Sequence, residues 1–79
     1  MTAPRVIVTG GCRGIGRGIV SMLANDGYEV GVLDIQLDES QQVWGRVVDV
    51  SDSTQVNAAI SEFAENGLDA LVNNAGIVR

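Results

Sequence analysis

The stretch TGGCRGIG, Thr9 to Gly16, places four glycines among eight residues, between an apolar run and a run with helical periodicity. Glycines so placed allow a sharp strand-to-helix turn and let a bulky anion approach the backbone. The helix that starts near Ile15 adds N–H groups and a partial positive charge. The ligand that suits such a loop is a dianionic pyrophosphate. A tight glycine turn that binds nothing is the alternative reading of the loop taken alone. Little else in the chain could transform a ligand. There is no histidine and no lysine, the single Tyr28 has no basic partner, and Ser51, Ser53 and Ser61 lack a base to activate them.

Two phosphate-binding patterns compete for the loop. Gly11 and Gly16 have the spacing of the nucleoside-triphosphate P-loop, but Arg17 and Gly18 stand where that motif needs Lys and a hydroxyl. The dinucleotide pattern G-x-G-x-x-G also fails when taken literally, because Ile19 falls at the third glycine. What the chain has is G-x-x-x-G-x-G at Gly10, Gly14 and Gly16. The physics of the dinucleotide loop survives that altered spacing. Asp34, twenty residues beyond Gly14, ends the second predicted strand. A carboxylate there can accept hydrogen bonds from an adenosine ribose and repel a 2′-phosphate, so loop and acid together favour NAD over NADP. An isolated aspartate at a strand end is otherwise a turn residue.

The elements that must position these residues alternate along the chain. RVIVT, Arg5 to Thr9, is a β-branched run of the kind buried on both faces of a parallel sheet. After the loop, Ile15, Ile19, Met22 and Leu23 recur at helical spacing, and Gly27 supplies a left-handed C-cap. Tyr28 to Asp34 reads as a second strand and Gly45 to Val50 as a third. Between them lie ten residues, IQLDESQQVW, the lower limit for a parallel crossover. A turn or two near Asp38 to Val43 is all they allow, leaving that face of the sheet thinly covered. Ser51 and Asp52 cap the clearest amphipathic helix, with Val56, Ala59, Ile60 and Phe63 on one stripe before the stop at Asn66 and Gly67. LDALVNNAG then reads as a fourth strand running into a polar turn. The predicted fold is α/β, the N-terminal part of a Rossmann-type doubly wound parallel sheet with strand order 3-2-1-4. Residues 1–79 read as one part of a single dinucleotide-binding domain.

Composition bounds the function classes. A chain of 79 residues with 46% hydrophobic residues and a net charge of −5 is one small packed unit. Its few arginines form no strip that could follow a phosphodiester backbone, which argues against nucleic acid. Cys12 alone cannot form an internal disulfide, the lack of histidine removes metal-ligand spacings, and the N-terminus has neither a signal core nor a membrane span. A cytoplasmic location, no membrane and no metal are expected.

TGGCRGIG, Asp34, the Asp49–Val50 pair and NNAG at Asn73 to Gly76 stand in the order and spacing of the short-chain dehydrogenase/reductase family, which the whole chain resembles. The resemblance implies that Gly10, Cys12, Arg13, Gly14, Ile15 and Gly16 form the cofactor loop. Asp34 and Ile35 would meet the adenosine ribose. Asp49 and Val50 would flank adenine, the carboxylate accepting from its exocyclic amine. Asn74, Ala75 and Gly76 would line the pocket beside the riboses, while Asn73 braces the sheet. Simpler roles compete: Asp49 as the start of a helix cap, and the asparagines as turn residues. Cys12 stands where the family has a small residue. It either fills space or, beside the helix N-terminus, is a reactive thiol. Arg13 can help bind a 2′-phosphate in NADP-dependent members, but Asp34 should dominate.

The family's catalytic Tyr and Lys, with an upstream Ser, lie beyond NNAG and are not in this chain, so no catalytic residue is assigned. The implied whole is an NAD-dependent oxidoreductase acting on an alcohol or ketone, a homo-oligomer, with this segment completed by a C-terminal part that covers the fourth strand's apolar edge. The alternative is a truncated, non-catalytic nucleotide-binding or interaction module.

Overall fold

The computed structural model describes residues 3–12 and 14–74. Four parallel strands form one sheet in the order β3-β2-β1-β4: β1 (Arg5–Thr9), β2 (Glu29–Asp34), β3 (Trp44–Val47) and β4 (Ala70–Asn73). Helix α1 (Gly14–Asn25) joins β1 to β2, and α2 (Ser53–Ala64) joins β3 to β4. The β2–β3 crossover, residues 35–43, carries a single 3-10 turn, Glu39–Gln41. This is the α/β, Rossmann-type arrangement and strand order that the sequence predicts.

Every residue of β1 is buried, because the sheet is covered on both sides. Val6 and Val8 join Val30, Val32, Val20 and Cys12 on the α1 face, while Ile7 joins Leu33, Val48, Ala59 and Phe63 on the α2 face. Each of these large apolar side chains contributes about 1.5–3 kcal/mol on full burial.

Element ends differ from expectation where end groups are already engaged. Gly27, at φ 93°, and Tyr28 close α1 with a paired cap: Gly27 N–H donates to the Ala24 carbonyl and Tyr28 N–H to that of Leu23. The Tyr28 N–H is thus spent on the helix, and β2 begins at Glu29 rather than Tyr28. β3 spans Trp44–Val47 rather than Gly45 to Val50, since β2 ends at Asp34 and the Asp49 side chain turns the chain toward α2. Asp52 caps α2, accepting from the N–H groups of Thr54 and Gln55 at 3.0 and 3.3 Å.

Arg5, which no sequence pattern singled out, closes the other end of α2. Its guanidinium donates to the carbonyls of Phe63 and Gly67, each at 2.7 Å, pairs with Glu29 at 2.6 Å and lies 4.0 Å above the Phe63 ring. Among the described residues β4 pairs with β1 alone, and Leu71 on it is 49% exposed, so β4 is the apolar edge expected from the sequence.

Candidate functional site

The parallel register brings the C-terminal ends of all four strands to one edge of the sheet, and the glycine loop turns over that edge. Its glycines have separate tasks. Gly10, at φ 69°, leaves β1 with its N–H donated to the Leu33 carbonyl at 2.7 Å. A Cβ on Gly11 would come within 2.9 Å of Val20 and 3.1 Å of Val32, so Gly11 lets the loop seat against α1 and β2. A Cβ on Gly16 would strike the Gly10 carbonyl and lie 2.5 Å from Asn74 Nδ2. Gly14 opens α1 at φ 55°, and a Cβ there would meet nothing within 4 Å. The loop is therefore packed tightly beneath and open above.

Asp34 lies under this loop, 4% exposed. Its Oδ2 accepts from the Cys12 N–H at 3.3 Å and its Oδ1 from the Gln36 N–H at 3.4 Å. From the sequence this carboxylate faces a ligand only; in the structure it also holds the loop through the Cys12 N–H. A carboxylate oxygen has two lone pairs, so each retains capacity for a further donor. The Cys12 side chain is buried among the valines of the α1 face. Ile15 and Ile35 are both largely exposed beside the loop, at 79% and 59%.

Asp49 is exposed, and its Oδ1 accepts from the Ser51 hydroxyl at 2.6 Å and the Ser51 N–H at 2.9 Å. The Ser51 hydroxyl, then its N–H, holds the Asp49 carboxyl below the usual aspartate value. The helix cap is Asp52, not Asp49. Val50 packs, half-buried, against the α2-face cluster. Asn73 braces the sheet as expected, its Oδ1 accepting from Thr9 Oγ1 at 3.0 Å. Asn74 Nδ2 donates to the Gly10 carbonyl at 3.2 Å, tying the end of β4 to the loop. The structure thus joins Gly10, Gly16 and Asn74 through contacts and ties Asp34 to the loop at Cys12, while Gly14 opens α1 beside them; Asp49 shares their edge of the sheet. Arg13, Ala75 and Gly76 lie outside the described residues.

Three contacts of the crossover carry no motif. Gln41 Nε2 donates to the Gly11 carbonyl at 2.8 Å, and Arg17 on α1 pairs with Asp38 and donates to Ser40 Oγ at 3.2 Å. No local pattern signals them, because each joins segments distant in sequence.

The family described as short chain dehydrogenase matches residues 4–79. The chain belongs to this family. Among similar short-chain dehydrogenases is an L-2,3-butanediol dehydrogenase of Corynebacterium glutamicum, 40% identical over 88 positions, covering 92% of this chain and 34% of the relative. A 3-oxoacyl-[acyl-carrier-protein] reductase, FabG, of Chlamydia pneumoniae is 38% identical over 92 positions, covering all of this chain and 37% of the relative. The chain spans about a third of the length of these curated relatives. Both alignments run longer than its 79 residues, so each relative has residues between matched segments that this chain lacks. Ligand-free aldohexose dehydrogenase of Thermoplasma acidophilum superposes with a TM-score of 0.86 at 34% identity, covering 99% of this chain and 31% of that one. The protein ElxO, solved with NADPH bound, superposes at 0.85 with 27% identity over 99% of this chain and 37% of that one.

Proposed function

We propose that this chain binds NAD and forms the cofactor-binding part of an oxidoreductase that moves hydride between the nicotinamide and an alcohol or ketone. The residues fit a dinucleotide. Among the described residues nothing beyond its chain neighbours lies within 4 Å of a Cβ placed on Gly14, and the loop is closed beneath by contacts that exclude a Cβ at Gly11 and Gly16 and continuous with the start of a twelve-residue helix. When bound, the nicotinamide ring would supply the hydride acceptor or donor.

The chain's own residues bind and orient. The backbone at Gly10, Cys12, Gly14, Ile15 and Gly16, with Arg13, would hold the pyrophosphate and its flanking riboses. Asp34 would accept from the adenosine ribose hydroxyls, with Ile35 beside it. Val50 and Asp49 would flank adenine, the Asp49 oxygen not engaged by Ser51 accepting from the exocyclic amine. Asn74, Ala75 and Gly76 would border the riboses toward the reacting end. No group here can handle the alcohol proton: Tyr28 precedes β2, at the edge of the sheet opposite the loop. A Tyr–Lys pair on a C-terminal part would supply that step. Such a part, covering β4, and self-association into a dimer or tetramer are the partners proposed, with a cytoplasmic location. Among the described residues no helix is long and apolar enough to cross a membrane. The rival reading, a non-catalytic nucleotide-binding or interaction module, predicts that the intact mass of the native protein shows no larger polypeptide containing Tyr-x-x-x-Lys.

The observation that carries NAD over NADP is the buried Asp34 carboxylate beneath the loop. Two unit charges about 4 Å apart at an effective dielectric near 20 interact by roughly 4 kcal/mol. Solvent and Arg13 should reduce the penalty for a 2′-phosphate to about 2–3 kcal/mol, one to two orders of magnitude in preference. Asp34→Asn, which keeps an acceptor for the Cys12 N–H, should raise the ratio of NADPH to NADH affinity in the protein that carries this chain by at least tenfold. A wild-type protein that binds NADPH as tightly as NADH would overturn the assignment.

A further inference from the structure

The Gly11–Cys12 peptide is gripped at both ends. Its carbonyl accepts from Gln41 Nε2 at 2.8 Å, and its N–H donates to Asp34 Oδ2 at 3.3 Å. In a trans peptide these two groups point in opposite directions, so two bonds from opposite sides fix the rotation of the plane. Two adjacent glycines precede it, and glycine leaves the backbone free to rotate where a Cβ would restrain it. We infer that Gln41 is a positioning residue for the dinucleotide loop, holding the Gly11–Cys12 peptide so that Asp34 and the loop keep one mutual arrangement before the ligand arrives. The inference rests on the dinucleotide reading above.

The crossover is built to deliver this side chain. Leu37 and Val43 pack against the α1-face cluster on either side of the turn. Asp38 caps the turn, its Oδ1 accepting from the Ser40 N–H at 2.9 Å and the Ser40 hydroxyl at 2.6 Å, and Arg17 binds both residues from α1. Gln42, left-handed at φ 52°, ends the turn immediately after Gln41. Residues 35–43 are at the short limit for a parallel connection. The crossover leaves the C-terminal end of β2 beside the loop, and its turn sets Gln41 on the Gly11 carbonyl. A ligand loop held in its binding conformation loses less conformational freedom on binding, which raises affinity without a new contact to the ligand.

The test compares Gln41→Met, which keeps length and loses the donor, with Gln41→Lys, which keeps an N–H donor, in the protein that carries this chain. Hydrogen exchange of the Cys12 amide is read without cofactor against the Val32 amide in the centre of β2, and NADH affinity is read from cofactor fluorescence. Gln41→Met should speed Cys12 exchange and weaken NADH about five- to tenfold, leaving Val32 unchanged, while Gln41→Lys restores Cys12 protection. Equal acceleration at Cys12 and Val32 would mean that Gln41 supports only global stability and would overturn the proposal, as would unchanged exchange together with unchanged affinity. Selective acceleration at Cys12 in a protein that binds neither NADH nor NADPH would support the grip on the peptide and overturn the dinucleotide reading instead.

Discussion

The crossovers that follow β2 and β3 both return the chain to a parallel strand, one to an adjacent strand and one across the sheet, and they are held by different forces. Residues 48–69 carry α2, whose Phe63 and Ala59 are buried against Ile7, Leu33 and Val48, with Trp44 5.0 Å from the Phe63 ring. Residues 35–43 carry only a 3-10 turn, anchored by the partly buried Leu37 and Val43 and otherwise by polar contacts of Asp38, Ser40 and Gln41. Length decides which force is available. A twelve-residue helix can lay an apolar stripe along the sheet. A turn of three residues has no stripe to lay and is held at its ends. One crossover therefore carries stability, while the other couples a loop, a helix and a strand end around the site.

Truncating the apolar crossover should have the largest effect. Phe63→Ala removes a ring packed on both sides, by Trp44 and by the Arg5 guanidinium. It should cost about 3–5 kcal/mol, read from the urea midpoint. A loss no greater than that of Val43→Ala would erase the distinction between the crossovers.

The polar crossover should yield far less to stability measurements. Asp38→Asn keeps a side-chain acceptor for Ser40 and removes the charge facing Arg17, both half-exposed. The expected loss is about 0.2–1 kcal/mol, fading in 1 M salt where screening is nearly complete. A salt-independent loss would show that the pair is more deeply desolvated than its exposure indicates.

The smallest effect concerns the pH response of the α2 crossover. The hydrogen bond from Arg46 lowers the Glu62 carboxyl, and the Ser51 contacts lower that of Asp49. Both belong to the α2 crossover. A carboxylate lowered on folding contributes stability above its unfolded value, and that contribution is lost as pH falls through the lower folded value. Acid titration of the denaturation midpoint should therefore be shallower in Glu62→Gln and Asp49→Asn than in the wild type. Identical slopes would remove both groups from the account of α2.

Much of this was legible in the residue order. β-branched runs, one amphipathic stripe and capping residues at Gly27 and Asp52 are local signals, and their alternation leaves few topologies once crossovers must be right-handed. The places of Gly10, Gly14, Gly16 and Asp34 were likewise readable, because a sharp strand-to-helix turn needs glycine and the acid ends the next strand. What stayed hidden depends on partners distant in sequence. Arg5 reads as a strand's first residue until α2 brings the carbonyls of Phe63 and Gly67 to it. Gly11 reads as a spare glycine until Val20 and Val32 converge on it, and Gln41 reads as loop filler until a short crossover lays it on the Gly11 carbonyl. Sequence by itself determined the elements, their order and the residue types at the ligand edge, since these follow from backbone sterics and local periodicity. Tertiary structure alone decided which side chains hold the loop, because a hydrogen bond across the fold depends on the meeting of two segments and leaves no period in either.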